Sequence, residues 1–162
     1  VFGGTDNSSN MNEIVRYDLS TQNSGEWTTI AKVNEANQRG GVAFVVEDKV
    51  YAGLGEKSNG IRNGFYVSSD SLTKWELIPS IPAQLGVISS GVYDEQKKSF
   101  FMIDNDGKIW EYNLTTEQWT SRSLWIRMKN YHMFMLDGSI YILGQDIYQK
   151  NKFTVYNPIW DN

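Results

Sequence analysis

Apolar positions along the chain fall in short runs bounded by Gly, Asn, Asp and Ser, and four segments repeat one order of events. An apolar run ends at or near glycine, a polar loop follows, then an aromatic strand, then a tryptophan. The first copy is VFGG at 1–4, IVRYDL at 14–19 and Trp27. The second is KVYAGLG at 49–55, GFYVSS at 64–69 and Trp75. The third is SFFMIDNDG at 99–107, KIWEYNL at 108–114 and Trp119. The fourth is SIYILGQ at 139–145, KFTVYN at 152–157 and Trp160. One more apolar run precedes each of the last three copies: GGVAFVV at 40–46, GVISSGVY at 86–93 and YHMFML at 131–136. These runs enter short turns, and Asp137-Gly138 between two of them predicts a type I′ hairpin, whose central residues both need positive φ. No segment carries sustained helical spacing with caps.

Trp27 to Trp75 is 48 residues, Trp75 to Trp119 is 44, and Trp119 to Trp160 is 41. A period in the forties is that of propeller blades and exceeds that of the shorter solenoid repeats. The expectation is therefore an all-β chain, a β-propeller of four-stranded antiparallel blades. Strand 1 is apolar and innermost, strand 2 ends in glycine, strand 3 carries tyrosine and strand 4 carries tryptophan at the outer edge. The blades cover about 1–30, 40–78, 86–122 and 131–162, and the first lacks strand 1. That makes about 3.5 blades of a larger or incomplete propeller, since closed propellers have 4–8. Exposed sheet surface then has to be covered by remaining blades or by another chain. Val1 is no start methionine and 1–4 reads as mid-strand, which predicts that the polypeptide extends upstream.

Val1-Phe2-Gly3-Gly4, Tyr17 and Trp27 resemble the kelch repeat: apolar residues before a glycine pair, then Tyr, then Trp. The other copies drift to Gly53-Leu54-Gly55, to no pair, and to Gly144 alone. Arg39 and Arg127 stand just ahead of strand 1, where kelch repeats often have arginine; the third repeat has Leu85-Gly86 there. Ser68-Ser69-Asp70-Ser71-Leu72-Thr73-Lys74-Trp75 is similar to the Asp-box turn of sialidase-type propellers, S-x-D-x-G-x-T-W. Leu72 replaces its glycine and Lys74 its threonine. Both resemblances speak to fold, because kelch propellers include oxidases, sugar epimerases and pure binding domains. This mixture also resembles segments of bacterial surface or periplasmic proteins, which implies export, as in a surface lipoprotein.

Composition narrows the chemistry. The chain has 162 residues, 40% hydrophobic and 21% charged, a globular balance. Net charge is −4, which argues against a dedicated nucleic-acid domain. Cysteine is absent, so disulfides, thiolate metal sites and Cys nucleophiles are excluded. No run of 18 apolar residues occurs, so no membrane-spanning helix is expected.

Single motifs carry little. His132 is the only histidine, and no triad or metal-ligand spacing accompanies it, so a structural role is favoured and no cofactor or metal is assigned. Asp104-Asn105-Asp106-Gly107 opens like a calcium loop, but position 115 is Thr where an EF-hand needs its last acid, so a tight turn is the better reading. Gly53-Leu54-Gly55 precedes no helix that would receive a phosphate. Asn7-Ser8-Ser9 and Asn113-Leu114-Thr115 are glycosylation sequons in form.

The kelch resemblance implies that the 2–3 and 4–1 loops share the channel face, while the 1–2 and 3–4 loops share the back. Sorted this way, the channel face is slightly basic, with Arg39, Arg62, Arg122 and Arg127 among its residues, and the back is acidic, with Asp48, Asp94, Glu95 and Asp137. Arginine grips carboxylates through paired hydrogen bonds. Trp125 and Tyr148 fall in the same loop class, where they would stack on a sugar ring. The ligand site expected from sequence is thus Arg39, Arg62, Arg127, Trp125 and Tyr148, holding a glycan or a protein segment on a non-catalytic scaffold. Two alternatives stand beside it: part of a sugar-processing propeller enzyme of the epimerase or glycosidase kind, and a purely structural domain. The opposing reading of the arginines is ordinary, since charged loops are usually solvated and arginine before strand 1 also serves to tie neighbouring blades.

Overall fold

The structure, a computed structural model, describes residues 1–158 apart from 7–8, 20–24, 35–37, 58–59, 62–63, 69–71, 83–87, 89, 105 and 127. Among the described residues the regular structure is β, in antiparallel pairs, with no α-helix, as the apolar pattern predicts. The chain divides into two compact units, Val1–Ser80 and Ile81–Asn162.

In the first unit, residues 1–3 run antiparallel to a strand further on: Phe2 bridges Ile14, and the Gly3 amide donates to the Glu13 carbonyl at 3.0 Å. Between them lies a small hairpin, β1 (Thr5–Asp6) with β2 (Ser9–Asn10). β3 (Glu13–Asp18) then pairs with β4 (Glu26–Lys32). The next sheet is a meander of β5 (Val42–Val46), β6 (Lys49–Gly53), β9 (Phe65–Ser68) and β10 (Trp75–Leu77), with the hairpin β7 (Glu56–Lys57) and β8 (Gly60–Ile61) inserted between β6 and β9. Phe65 is fully buried, edge-on to Phe44 and tilted against Tyr51.

The second unit opens on four strands in chain order: β11 (Gly91–Asp94), β12 (Ser99–Ile103), β13 (Lys108–Asn113) and β14 (Gln118–Trp125). β12 is buried on both faces along its whole length, as befits a central strand. A three-stranded sheet follows: β15 (Lys129–Leu136), β16 (Ser139–Gln145) and β17 (Asn151–Tyr156). Val92, Phe101, Ile103 and Ile109 of the first sheet form one core with Met133, Ile140, Ile142 and Tyr156 of the second.

The aromatic repeat has a physical basis in strand register. Tyr17 lies opposite Trp27 with ring centroids 4.9 Å apart at 44°, and Tyr112 lies opposite Trp119 at 4.8 Å and 44°. Such cross-strand pairs are a unit of sheet stabilisation. Trp75 departs from this: it stands opposite Ser68, and its ring meets Phe2 at 4.8 Å. Trp160 lies outside the described residues. The expected type I′ turn is present, with Asp137 at φ 49° and Gly138 at φ 71°. Of the strand expected over 86–93, β11 carries Gly91 to Tyr93, and residues 86, 87 and 89 lie outside the described residues. Two further expectations need correction. The kelch resemblance places Arg122 and Trp125 in a loop of the channel face, yet both lie in β14. A bulge between Lys108 and Trp110 lets pairing continue until Trp125 stands opposite Lys108.

Candidate functional site

In the first unit, three loops of the class assigned to the channel face meet. The chain before β5 arrives at Gln38 and Arg39, and Arg39 exchanges two backbone hydrogen bonds with Glu56, both 2.9 Å. The Asn10 side-chain amide, from the hairpin β1–β2, donates to the Glu56 carbonyl at 2.9 Å. Gln38 is buried; its side-chain oxygen accepts from the Gly55 amide at 2.8 Å, and its carbonyl accepts from the Gly4 amide at 2.9 Å. Glycine is required at 55 because a Cβ there would lie 2.7 Å from the Arg39 carbonyl and 2.8 Å from the Gln38 side chain.

The Arg39 guanidinium bonds within the chain. Its Nε and Nη2 both donate to Glu56 Oε2, at 3.0 and 2.8 Å, while its side chain stays 58% exposed. The arginine before strand 1 thus ties two loops together, with an anion already on its fork. An exposed pair of this kind contributes about 0–1 kcal/mol, so an incoming carboxylate competes with a weak partner.

The remaining expected site residues are dispersed. Arg62 and Arg127 lie outside the described residues. Trp125 is a β14 residue of the second unit whose side chain is not described. Tyr148 is 76% exposed in the turn between β16 and β17. Of the five, only Arg39 stands in a described cluster of polar side chains. Arg122 is withdrawn from the surface: its Nε donates to Glu111 Oε2 at 2.7 Å and its Nη2 to the same oxygen, and Glu111 is buried. A buried carboxylate needs such a partner to remain charged.

The segment resembling a calcium loop is a turn. Asp104 Oδ1 accepts from the amides of Asp106 and Lys108, both at 2.9 Å, and Oδ2 accepts from the Trp110 indole at 2.9 Å. The turn between β16 and β17 is its counterpart. Asp146 Oδ1 accepts from the amides of Tyr148 and Lys150, at 2.8 and 3.0 Å, and Lys152 approaches Oδ2. Sequence reading missed this repeated Asp turn, although Asp104…Lys108 and Asp146…Lys150 share one spacing. Asn113, of the second sequon, is likewise engaged: its Nδ2 donates to Ser99 Oγ and the Lys97 carbonyl, and its Oδ1 accepts from the Thr115 and Thr116 amides. Asn7 and Ser8 of the first sequon lie outside the described residues.

Leu72, in the place of the Asp-box glycine, adopts φ 56°, the left-handed region glycine favours, and its carbonyl accepts from the Trp75 indole at 3.1 Å. His132 is an exposed residue of β15, opposite Leu143. Among the described residues no three His, Cys, Asp or Glu side chains converge to hold a metal. Among the described residues, two groups titrate away from their ordinary values. Lys32 is held above the usual lysine range by its hydrogen bond to Glu13, at 2.8 Å. The Tyr131 hydroxyl, which donates to the Ile103 carbonyl, is pushed well up, first by burial and then by the Asp104 carboxylate.

No protein-family profile matches the chain, and no curated protein matches it. Solved structures do. A structural-genomics protein of unknown function from Bacteroides thetaiotaomicron superposes with a TM-score of 0.50 at 16% identity, covering 88% of this chain and 40% of that one. The structure of YjhT superposes with a TM-score of 0.44 at 19% identity, covering 69% of this chain and 36% of that one. The chain thus spans about two fifths of the length of the first. At this identity the first likeness concerns the sheet-rich fold alone.

Proposed function

We propose that the chain is a segment of a kelch-like β-propeller acting as a non-catalytic binding scaffold. The face built from its 2–3 and 4–1 loops takes a glycan or a protein segment. The observation that carries this reading is the meeting of Asn10, Gln38, Arg39 and Glu56, from three loops of that class, in a hydrogen-bonded frame that leaves the Arg39 side chain exposed. Consecutive antiparallel meanders and the repeated Tyr–Trp register support the propeller part. The setting we propose, an exported bacterial surface or periplasmic protein, rests on the kelch and Asp-box resemblance. A scaffold suits the residues better than a catalyst, because the Asp104, Asp146 and Glu111 carboxylates are spent on turns and an ion pair.

The test is binding of the chain to a panel of acidic and neutral glycans, with Arg39→Ala and Lys97→Ala compared. Lys97 lies in the turn between β11 and β12, away from this cluster in sequence and in loop class. Arg39→Ala is expected to weaken an acidic glycan about tenfold, the value of one charge-assisted bond, and Lys97→Ala to leave it unchanged. Equal losses would reduce the effect to nonspecific charge.

A further inference from the structure

The first unit contains a cleft of about 400 Å³ between β3–β4 and the sheet that begins with β5 and β6. Its origin can be read by register. β5–β6 and β15–β16 are hairpins whose turns are both two residues long, so positions correspond one to one. The pair Ala43–Ala52 stands where the second unit has Met133–Ile142, and Val45–Val50 stands where it has Met135–Ile140. In the second unit Met133, Ile140 and Ile142 fill the space against the preceding sheet and are buried. Every counterpart in the first unit is smaller, and Ala43 and Val50 line the open cleft. Smaller side chains at matched positions leave this space open, and Val92 of β11, which joins the filled interface of the second unit, has no counterpart in the sheet β3–β4 among the described residues.

The walls have a definite chemistry. Tyr17 and Trp27 form one tilted aromatic pair, and Phe2 and Trp75, at 4.8 Å and 57°, form another. Trp27 is 60% exposed, a large aromatic surface left open to solvent. Arg16 reaches the same cleft, and its guanidinium makes no ion pair or hydrogen bond among the described residues. The volume falls in the range of small-molecule sites, about 300–1,000 Å³, which pair apolar walls with a few polar groups. Aromatic walls favour a ring, by edge-to-face and offset contacts, and the unpaired cation favours a carboxylate or sulfonate at its edge.

We propose that this cleft is a binding site for a small aromatic anion, the ring seated over Ala43 and Val50 between Trp27 and Trp75 and the anionic group on Arg16. The site is separate from the loop cluster around Arg39 and does not depend on it. Calorimetric titration of the whole chain with naphthalene-2-carboxylate and with its neutral carboxamide tests the idea. One-to-one binding of the carboxylate with quenching of tryptophan fluorescence is expected. Arg16→Gln should weaken the carboxylate about tenfold and the carboxamide by no more than about twofold. Ala43→Met, which introduces the side chain of Met133, should abolish binding of both without lowering the melting temperature. If that variant unfolds, the Arg16→Gln pair of titrations decides, since Arg16 is exposed. The proposal is overturned by absence of binding to the folded chain at millimolar ligand. It is equally overturned by an Arg16→Gln variant that binds both ligands as before. Sedimentation showing a dimer that Trp27→Ser dissolves would make a second copy the occupant and would also overturn it.

Discussion

The two units apply one β-hairpin design to different packing. In the second, Met133, Met135, Ile140 and Ile142 turn toward the preceding sheet, and three of the four are buried. In the first, Ala43, Val45, Val50 and Ala52 occupy the same places, and Val45 is left 72% exposed. Hairpin register and turn length are unchanged, so the strand pattern does not depend on how well the facing sheets fill. What changes is the interface, because dispersion and burial scale with the atoms present. The turns between second and third strands differ in the same sense. The second unit closes them tightly on Asp104 and Asp146, whereas the first extends them into the hairpins β1–β2 and β7–β8. The first unit has given up packing for loops and open volume.

The largest effects should fall on the filled interface. Ile140→Ala removes a fully buried side chain and is expected to cost about 3–4 kcal/mol in urea denaturation. Val50→Ala, at the matched pair beside an existing cleft, should cost only about 1 kcal/mol. Equal costs would mean that the first interface is as well filled as the second, and the comparison would fail.

The Asp turns come next. Gly107 has φ 84°, and a Cβ there would lie 2.1 Å from the Ile126 carbonyl oxygen, so Gly107→Ala should cost about 2–3 kcal/mol. Gln149 holds the matching position at φ 62°. Gln149→Gly should therefore stabilise, by about 0.5 kcal/mol, once the strain of a left-handed side chain is set against the greater freedom of glycine in the unfolded chain. The two melting temperatures moving in the same direction would break the equivalence of the turns.

The smallest effect concerns Tyr131, buried in the core of the second unit. Its folded-state pKa is raised, so the folded chain holds that proton more tightly than the unfolded chain. Its contribution is therefore fully present below the ordinary tyrosine value near 10 and is lost as pH rises above it. Tyr131→Phe should cost about 1 kcal/mol at neutral pH for the lost hydrogen bond, and should flatten the fall in stability above about pH 10. A variant whose alkaline limb is as steep as that of the parent would place the titration elsewhere.

Strand content and the Asp137-Gly138 hairpin turn were legible in the sequence because they rest on local rules: alternation along a strand and positive φ at both turn residues. Loop membership was less legible. Trp125 and Arg122 looked like loop residues, since nothing in Ser-Arg-Ser announces a bulge that keeps β14 paired. The partner of Arg39 was not legible at all. The arginine and Glu56 are 17 residues apart, and only the docking of one loop on another brings the carboxylate onto the guanidinium. The cleft lies between these cases. Its small residues Ala43 and Val50 stand in plain view in the sequence, but an alanine in a strand means empty space only when the facing sheet is known. Side-chain size is a property of the chain, whereas a cavity is a property of two surfaces brought together, and that second surface is supplied by tertiary structure.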